Sequence, residues 1–243
     1  MDTNSLITVC DVCKNYKDRK ALNNISFDVN KGEVLGIIGP NGAGKTTMIS
    51  LLATINKPES GKIYIFGEDI LKKPEKIRAS LGYVPQDAAL YPMLTAYENL
   101  DFWGGIYGVD KKVKNEKINN ALQLLRLEDR KNDKVKTFSG GMKKRLNIAA
   151  SILHDPEILI MDEPTAGVDI LSRATIAKLI TGLKQSGRTV IITSHHIDEL
   201  EHLCDRILVL REGSLLYSGS VAEILKATDN ENLEQLMLKL EEA

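Results

Sequence analysis

The sequence predicts an α/β fold with a mostly parallel central sheet. Short apolar runs, typical of parallel strands buried on both faces, occupy Val34–Ile38 and residues 158–161 and 190–193. Helical patterns at 46–55 and Ile170–Gln185 separate these runs, as expected when helices cover both faces of a sheet. A third observation concerns the region before the first run, where strict alternation of apolar and polar side chains predicts a half-buried strand in an antiparallel β part.

A long helical stretch interrupts this alternation. Between residues 87 and 154 the periodicity is helical, and no strand pattern occurs. The predicted helices cover 96–104, 113–125 and 142–154. We therefore expect an α-helical subdomain inserted between two strands of the core.

The whole chain is expected to form a single domain of residues 1–243 with three parts. A hairpin is predicted near its end, because two apolar runs flank Glu212 and Gly213. The parts are an α/β core formed by 1–86 and 157–225, the helical subdomain 87–156, and a C-terminal amphipathic helix within 226–243.

Composition favours an ordinary globular protein. Hydrophobic residues make up 43% and charged residues 27%, and the formal net charge is -1. Because binding to nucleic acid usually requires a surplus of basic side chains, no nucleic-acid partner is expected. The apolar runs fall far short of the ~18 residues of a spanning helix, and the N-terminal residues are polar. We expect a soluble, cytoplasmic chain.

The three cysteines do not predict a disulfide framework. Cys10 and Cys13 form a C-x-x-C within a predicted strand, and Cys204 is remote in sequence. Residues three apart on a regular strand face opposite sides, so Cys10 and Cys13 are not expected to share a metal.

The strongest functional motif follows the first apolar run. Glycines let backbone N–H groups turn toward phosphate oxygens, and the positive end of the next helix attracts the same charge. Lysine reaches the β- and γ-phosphates, and threonine binds Mg²⁺. The motif G-x-x-x-x-G-K-[ST] is matched in full, with Thr47 directly after it, by Gly39, Pro40, Asn41, Gly42, Ala43, Gly44, Lys45 and Thr46. It predicts a P-loop NTPase core that binds a nucleoside triphosphate.

Two acids end the second apolar run. Parallel strands direct their carboxyl ends to the ligand crevice, so Asp162 and Glu163 are expected beside the phosphate loop. Asp162 is placed to hold Mg²⁺, and Glu163 to activate a water for attack on the γ-phosphate.

A third motif precedes the last helix of the inserted segment. Ser139 suits an N-cap, and Gly140 and Gly141 expose backbone N–H groups at a helix start. With this motif and the preceding ones in the same order, residues 5–220 resemble the nucleotide-binding domains of the ATP-binding cassette family. The signature of that family is usually Leu-Ser-Gly-Gly-Gln, and the sequence departs from it at Phe138 and Met142.

The resemblance implies ATP and Mg²⁺ as cofactors and assigns further residues. Tyr16 matches the aromatic residue that stacks on adenine, and Gln86 matches the glutamine that senses Mg²⁺ and the attacking water. Asp169 lies in a loop that crosses a dimer interface in the family. His195, rather than the adjacent His196, matches the histidine that contacts the γ-phosphate and acts in hydrolysis with Glu163, Gln86 and Lys45.

The resemblance also implies partners. In the family, the signature of one subunit covers the ATP bound by a second subunit, and separate membrane subunits form the transport path. A homodimer and a transmembrane permease partner are therefore expected, at the cytoplasmic face of the cell membrane. The apolar segment 90–100 beside Gln86 is expected to contact that permease, or else to form the core of the helical subdomain.

Details of the motifs look most like the multidrug, antibiotic and sodium exporters of bacteria and archaea. Two alternatives are weighed against export. A soluble cassette ATPase that assists assembly or regulation stays open. A phosphate-loop kinase or GTPase would leave His195 and the Ser139 motif without a role.

Overall fold

The computed structural model describes residues 5–17, 19–194 and 197–242, and within these ranges it contains two β-sheets with helices packed on them. In chain order, the strands are β1 (Ser5–Tyr16), β2 (Arg19–Asn30), β3 (Val34–Ile38), β4 (Ser60–Ile65), β5 (Glu68–Asp69), β6 (Leu81–Val84), β7 (Ile158–Asp162), β8 (Thr189–Thr193), β9 (Arg206–Arg211) and β10 (Ser214–Gly219).

Along the chain, most of the helices occur between one strand of the larger sheet and the next. In chain order, they are α1 (Lys45–Leu52), α2 (Pro74–Arg78), α3 (Ala96–Ile106), α4 (Lys111–Leu124), α5 (Gly140–Ile152), α6 (Ile170–Gln185), α7 (Ile197–Leu203), α8 (Val221–Thr228) and α9 (Leu233–Glu242), with short 3-10 helices at Glu128–Arg130 and Val135–Thr137. Among the helices of the described residues, none has both the length and the apolar character needed to cross a bilayer.

The larger sheet has the order β10-β9-β3-β8-β7-β6. All its neighbouring strands pair in parallel except β9 and β10, which form an antiparallel hairpin. Each residue of β3, β7 and β8 is buried, as expected for parallel strands covered on both faces. The predicted parallel sheet and terminal hairpin are thus confirmed.

The smaller sheet has the order β2-β1-β4-β5 and is antiparallel throughout. Its inner face packs with α1 on one side of the larger sheet, in a core that includes Leu35 and Ile37 of β3. The helices of the segment between β6 and β7, which we call the helical lobe (α3–α5), join the core on the other side with Val34 and Ile38. Because successive side chains of a strand point to opposite faces of the sheet, β3 contributes side chains to both cores.

Helix boundaries differ from the predictions because capping residues set them. The first predicted helix, 46–55, runs from Lys45 to Leu52, and Thr54, with a positive φ of 58°, cannot continue it. Asp110 caps α4, which therefore starts before the predicted residue 113. Ser139 caps α5 as predicted, with its hydroxyl accepting from the Met142 N–H at 3.2 Å, so that the helix begins at Gly140.

The prediction that Cys10 and Cys13 face opposite sides of their strand is wrong. Asp11 has a φ of 49°, and the register with β4 shifts between the two cysteines. They pair with Lys62 and Ser60, which are two residues apart and so share a face. The bulge at Asp11 places both cysteines on that face, yet the described residues contain no cluster of three or more metal-binding side chains.

Candidate active site

The phosphate loop connects β3 to α1 in a conformation that requires glycine. Gly44 caps α1 with a φ of 107°, and a Cβ atom there would lie 2.6 Å from the carbonyl oxygen of Ala21. At Gly39 a Cβ atom would lie 2.1 Å from the carbonyl oxygen of Leu210. Neither position can accept a side chain without moving main chain of a neighbouring strand, so the loop is held tightly against the sheet.

Lys45 is the first residue of α1 and is 7% exposed. Its ammonium donates hydrogen bonds to the carbonyl oxygens of Gly39 at 2.6 Å and of Pro40 at 3.0 Å. Burial lowers the pKa of Lys45, and the nearby carboxylates of Glu163 and Asp162 oppose that shift. The loop therefore contains a buried ammonium group that donates to carbonyl oxygens of the loop itself. Phosphate oxygens could replace these carbonyl oxygens as acceptors.

The acid pair lies at the carboxyl end of β7, as predicted. Asp162 is 1% exposed, and one of its oxygens accepts a 2.6 Å hydrogen bond from the hydroxyl of Thr193 on β8. The same hydroxyl accepts the N–H of Glu163 at 3.0 Å. Glu163 itself has a φ of 49°, which is rare for a residue with a side chain. The pairing of β7 with β8 thus fixes both acids at one edge of the sheet.

Gln86 joins the acids from the other neighbouring strand. The segment after β6 brings its amide to Glu163, where Nε2 donates to Oε2 at 2.9 Å. Because β6 pairs in parallel with β7, the two residues leave the sheet at the same edge. An amide and a carboxylate in direct contact form a site that can orient a water molecule.

Residues of the phosphate loop, Gln86 and Glu163 line one cavity of about 410 Å³, a size typical of small-molecule sites. Tyr16, at the end of β1, also lines it; the residue is 46% exposed, and its hydroxyl accepts from the Asn56 amide at 3.3 Å. The residues that line the cavity are Tyr16, Arg19, Ala21, Asn41, Gly42, Gly44, Lys45, Thr46, Thr47, Gln86 and Glu163.

Arg19 lines this cavity but was not predicted. Its guanidinium donates to the carbonyl oxygen of Gly42 at 2.8 Å and so fastens β2 to the phosphate loop. No sequence motif marks the residue. Only its position shortly after Tyr16 could have suggested it.

Eight predicted residues do not line that cavity: Gly39, Pro40 and Ala43 of the phosphate loop, Asp162, and the four residues Ser139, Gly140, Gly141 and Asp169. Asp169 caps α6 and accepts hydrogen bonds from the N–H and hydroxyl of Ser172 at 2.9 and 2.7 Å, which lower the pKa of its carboxyl. A Cβ atom at Gly141 would lie 2.4 Å from this carboxylate. Ser139, Gly140 and Gly141, which we call the signature turn, are therefore packed beside Asp169 within the same chain. His195 lies outside the described residues.

The oxygen donors in and beside the cavity suit Mg²⁺. The ion takes few protein ligands and keeps waters and phosphate oxygens in the rest of its shell. The Thr46 hydroxyl and Gln86 amide line the cavity, and the Asp162 carboxylate is buried beside Glu163. This set of one hydroxyl, one amide and one carboxylate fits an ion that is shared with a triphosphate.

A parallel sheet with a phosphate loop at its centre, an acid pair on a neighbouring strand and an inserted helical lobe defines a P-loop ATPase. Residues 22–166 match the family model described as ABC transporter. The chain belongs to this family and is similar to the ATP-binding subunits of its exporters.

Two curated relatives and one solved structure show the extent of the similarity. The linearmycin resistance ATP-binding protein LnrL of Bacillus subtilis is 42% identical over 93% of this chain and 73% of that protein. The Nod factor export ATP-binding protein I of Rhizobium sp. is 39% identical over 88% and 70%. A dimeric ATP-binding cassette in a post-hydrolysis state with ADP and Pi superposes with a TM-score of 0.82 at 28% identity, over 88% of this chain and 98% of the other.

Proposed function

We propose that this chain is the ATP-hydrolysing subunit of a membrane exporter and that it works as a dimer driven by ATP. One observation carries the proposal: the phosphate loop, Gln86 and Glu163 line a single cavity. A triphosphate on the loop would direct its γ-phosphate toward the Gln86 amide and the Glu163 carboxylate, which are already in contact.

Each residue then has a chemical task. Lys45 neutralises the β- and γ-phosphate oxygens, and Tyr16 stacks on adenine. Mg²⁺, when bound, would offset charge on the phosphates, and Thr46, Gln86 and Asp162 would hold it. Glu163 accepts the proton of the attacking water, which Gln86 orients. His195 would contact the γ-phosphate.

The position of the signature turn supports a dimer. Ser139, Gly140 and Gly141 begin α5, whose N–H groups can bind an anion, yet they do not line the cavity of their own chain. Two copies placed head to tail would bring each signature turn and its Asp169 onto the ATP of the other copy. The related dimeric cassette with ADP and Pi is consistent with this arrangement.

Export requires a membrane partner, and the helical lobe offers a surface for one. We assign residues 87–156 to an inserted subdomain and 1–86 with 157–225 to the catalytic core. In segment 90–100, Ala96 and Leu100 are buried, but Tyr91 is exposed. Met93, Phe102 and Ile106 are exposed as well. The rings of Tyr91 and Phe102 are in edge-on contact, with their centroids 4.8 Å apart. We call these four residues the apolar surface.

The apolar surface can be tested with a charged double variant. Met93→Asp with Ile106→Asp should abolish recovery of the tagged chain with the membrane fraction of its own cells, because a docked carboxylate would be desolvated. ATP affinity should stay unchanged. Leu216→Asp on β10, which also places a carboxylate at an exposed apolar position, serves as the control. Equal recovery of both variants with the membrane fraction would remove the apolar surface from this role. An unaltered chain that is not recovered with membranes would favour the alternative function, an assembly or regulatory ATPase without a membrane subunit.

The adenine contact gives a separate prediction. Tyr16→Ala should weaken ATP binding by about 1–3 kcal/mol, the usual contribution of an aromatic ring stacked on a base. Tyr16→Phe should bind like the unaltered chain, because stacking uses the ring rather than the hydroxyl. Isothermal titration with ATP measures both, and equal affinities for all three proteins would leave Tyr16 without this role.

A further inference from the structure

A row of polar side chains on α5 binds the main chain at the end of β6. Lys144, Asn147 and Ser151 are three and four residues apart, so they share one face of the helix. The Ser151 hydroxyl donates to the carbonyl oxygen of Tyr83 at 2.7 Å, and the Asn147 amide oxygen accepts the N–H of Ala89 at 3.2 Å. The helix of the signature turn is therefore attached directly to the segment that contains the catalytic glutamine.

Lys144 makes the contacts nearest to the chemistry. Its ammonium donates to the carbonyl oxygen of Gln86 and, at 3.1 Å, to the carbonyl oxygen of Glu163. These are the same two residues whose side chains bind each other at 2.9 Å. One ammonium thus binds the main chains of Gln86 and Glu163, while the side chains of these two residues contact each other at the cavity.

The main chain of Glu163 needs such support. Its φ of 49° is a conformation that residues with a Cβ seldom adopt. The Thr193 hydroxyl accepts the N–H of Glu163, and Lys144 donates to the carbonyl oxygen of Glu163. With hydrogen bonds on both sides of its Cα atom, the direction of the Cα–Cβ bond is fixed, and the Gln86 amide binds the carboxylate at its end.

We propose that Lys144 is a positioning residue for ATP hydrolysis, which holds the Glu163 carboxylate and the Gln86 amide in place and couples them to the helix of the signature turn. The inference rests on the proposed function, since it takes Glu163 as the base. Burial lowers the pKa of Lys144, while the carboxylates of Glu163, Asp162 and Asp87 oppose this shift. A charge close to both acids also reduces their mutual repulsion.

The test is a kinetic comparison of Lys144→Met and Lys144→Arg in the full chain with MgATP. Methionine keeps the apolar stem but cannot donate, so kcat should fall roughly 10- to 100-fold, the scale of a small misplacement of catalytic groups, with KM within about twofold. Arginine should restore at least a third of the rate. Lys178→Met, on the exposed face of α6, should match the unaltered chain.

A combined variant separates positioning from a purely structural effect. If Lys144 acts through Glu163, then Lys144→Met with Glu163→Gln should be no slower than Glu163→Gln alone. Multiplying losses would overturn the proposal, as would an unchanged kcat in Lys144→Met or a rise in KM alone. The proposed function and this inference would both fail if the unaltered chain did not hydrolyse ATP, or if Glu163→Gln hydrolysed it at the same rate.

Discussion

Glu163→Gln should bind ATP with unchanged affinity and hydrolyse it on the order of 10²–10⁴-fold more slowly. The amide keeps the size of the side chain and can still contact Gln86, but it cannot accept a proton from water. Because ATP then persists, the variant should accumulate as a dimer that holds two nucleotides between the phosphate loops and the signature turns.

Size-exclusion chromatography with light scattering, with and without MgATP, measures this directly. Glu157→Gln is the matched control, since Glu157 is an exposed acid just before the opposite end of β7 and should leave rate and mass unchanged. Normal hydrolysis by Glu163→Gln would remove Glu163 from its role as the base. A variant that binds ATP but stays monomeric would argue against the shared site while leaving the hydrolytic chemistry intact.

Lys45→Ala should abolish tight ATP binding. The ammonium is the buried cation of the phosphate loop, and hydrogen bonds to a charged group contribute about 1.5–3 kcal/mol each, so affinity should drop at least ~100-fold. Titration of MgATP against Lys45→Ala and the exposed-site control Lys57→Ala measures the difference. Normal affinity in Lys45→Ala would contradict the assignment of the loop.

The same variant should not unfold. The pKa of Lys45 is lowered by burial, which means that the folded state disfavours the charged form of this side chain. Removing the charge relieves that cost but also removes the donor to the carbonyl oxygens of Gly39 and Pro40, so the thermal midpoint of Lys45→Ala should stay close to that of the unaltered chain at pH 7. A loss of binding can then be read as a loss of phosphate contacts.

Much of the fold could be predicted from local patterns. Strand β3 and helix α6 match their predicted bounds residue for residue, because a buried parallel strand and a capped amphipathic helix each follow from side-chain spacing. The cavity joins the phosphate loop to Gln86 and Glu163 because parallel strands end at one edge. These contacts follow from topology once the strands are identified.

What could not be predicted depends on contacts between distant segments. The bulge that turns Cys10 and Cys13 to one face arises where β1 pairs with β4, and strand alternation alone does not show it. Arg19 and Lys144 bind main-chain carbonyls, which carry no sequence signal of their own. The contact between Gly141 and Asp169 likewise exists only after α5 and α6 pack together.

The attachment of α5 along β6 has a mechanical consequence. Its C-terminal half is anchored through Ser151, whereas its first turn carries Ser139 at the far end of the helix. Since an α-helix rises about 1.5 Å per residue, Ser139 lies roughly 18 Å from Ser151, and a tilt of about 10° at the anchor would move Ser139 by about 3 Å. Because Lys144 lies between Ser151 and Ser139 on this helix, such a tilt would also stretch its hydrogen bonds to the carbonyl oxygens of Gln86 and Glu163. A displacement of the signature turn is therefore transmitted to the main chain of the two residues that face the γ-phosphate.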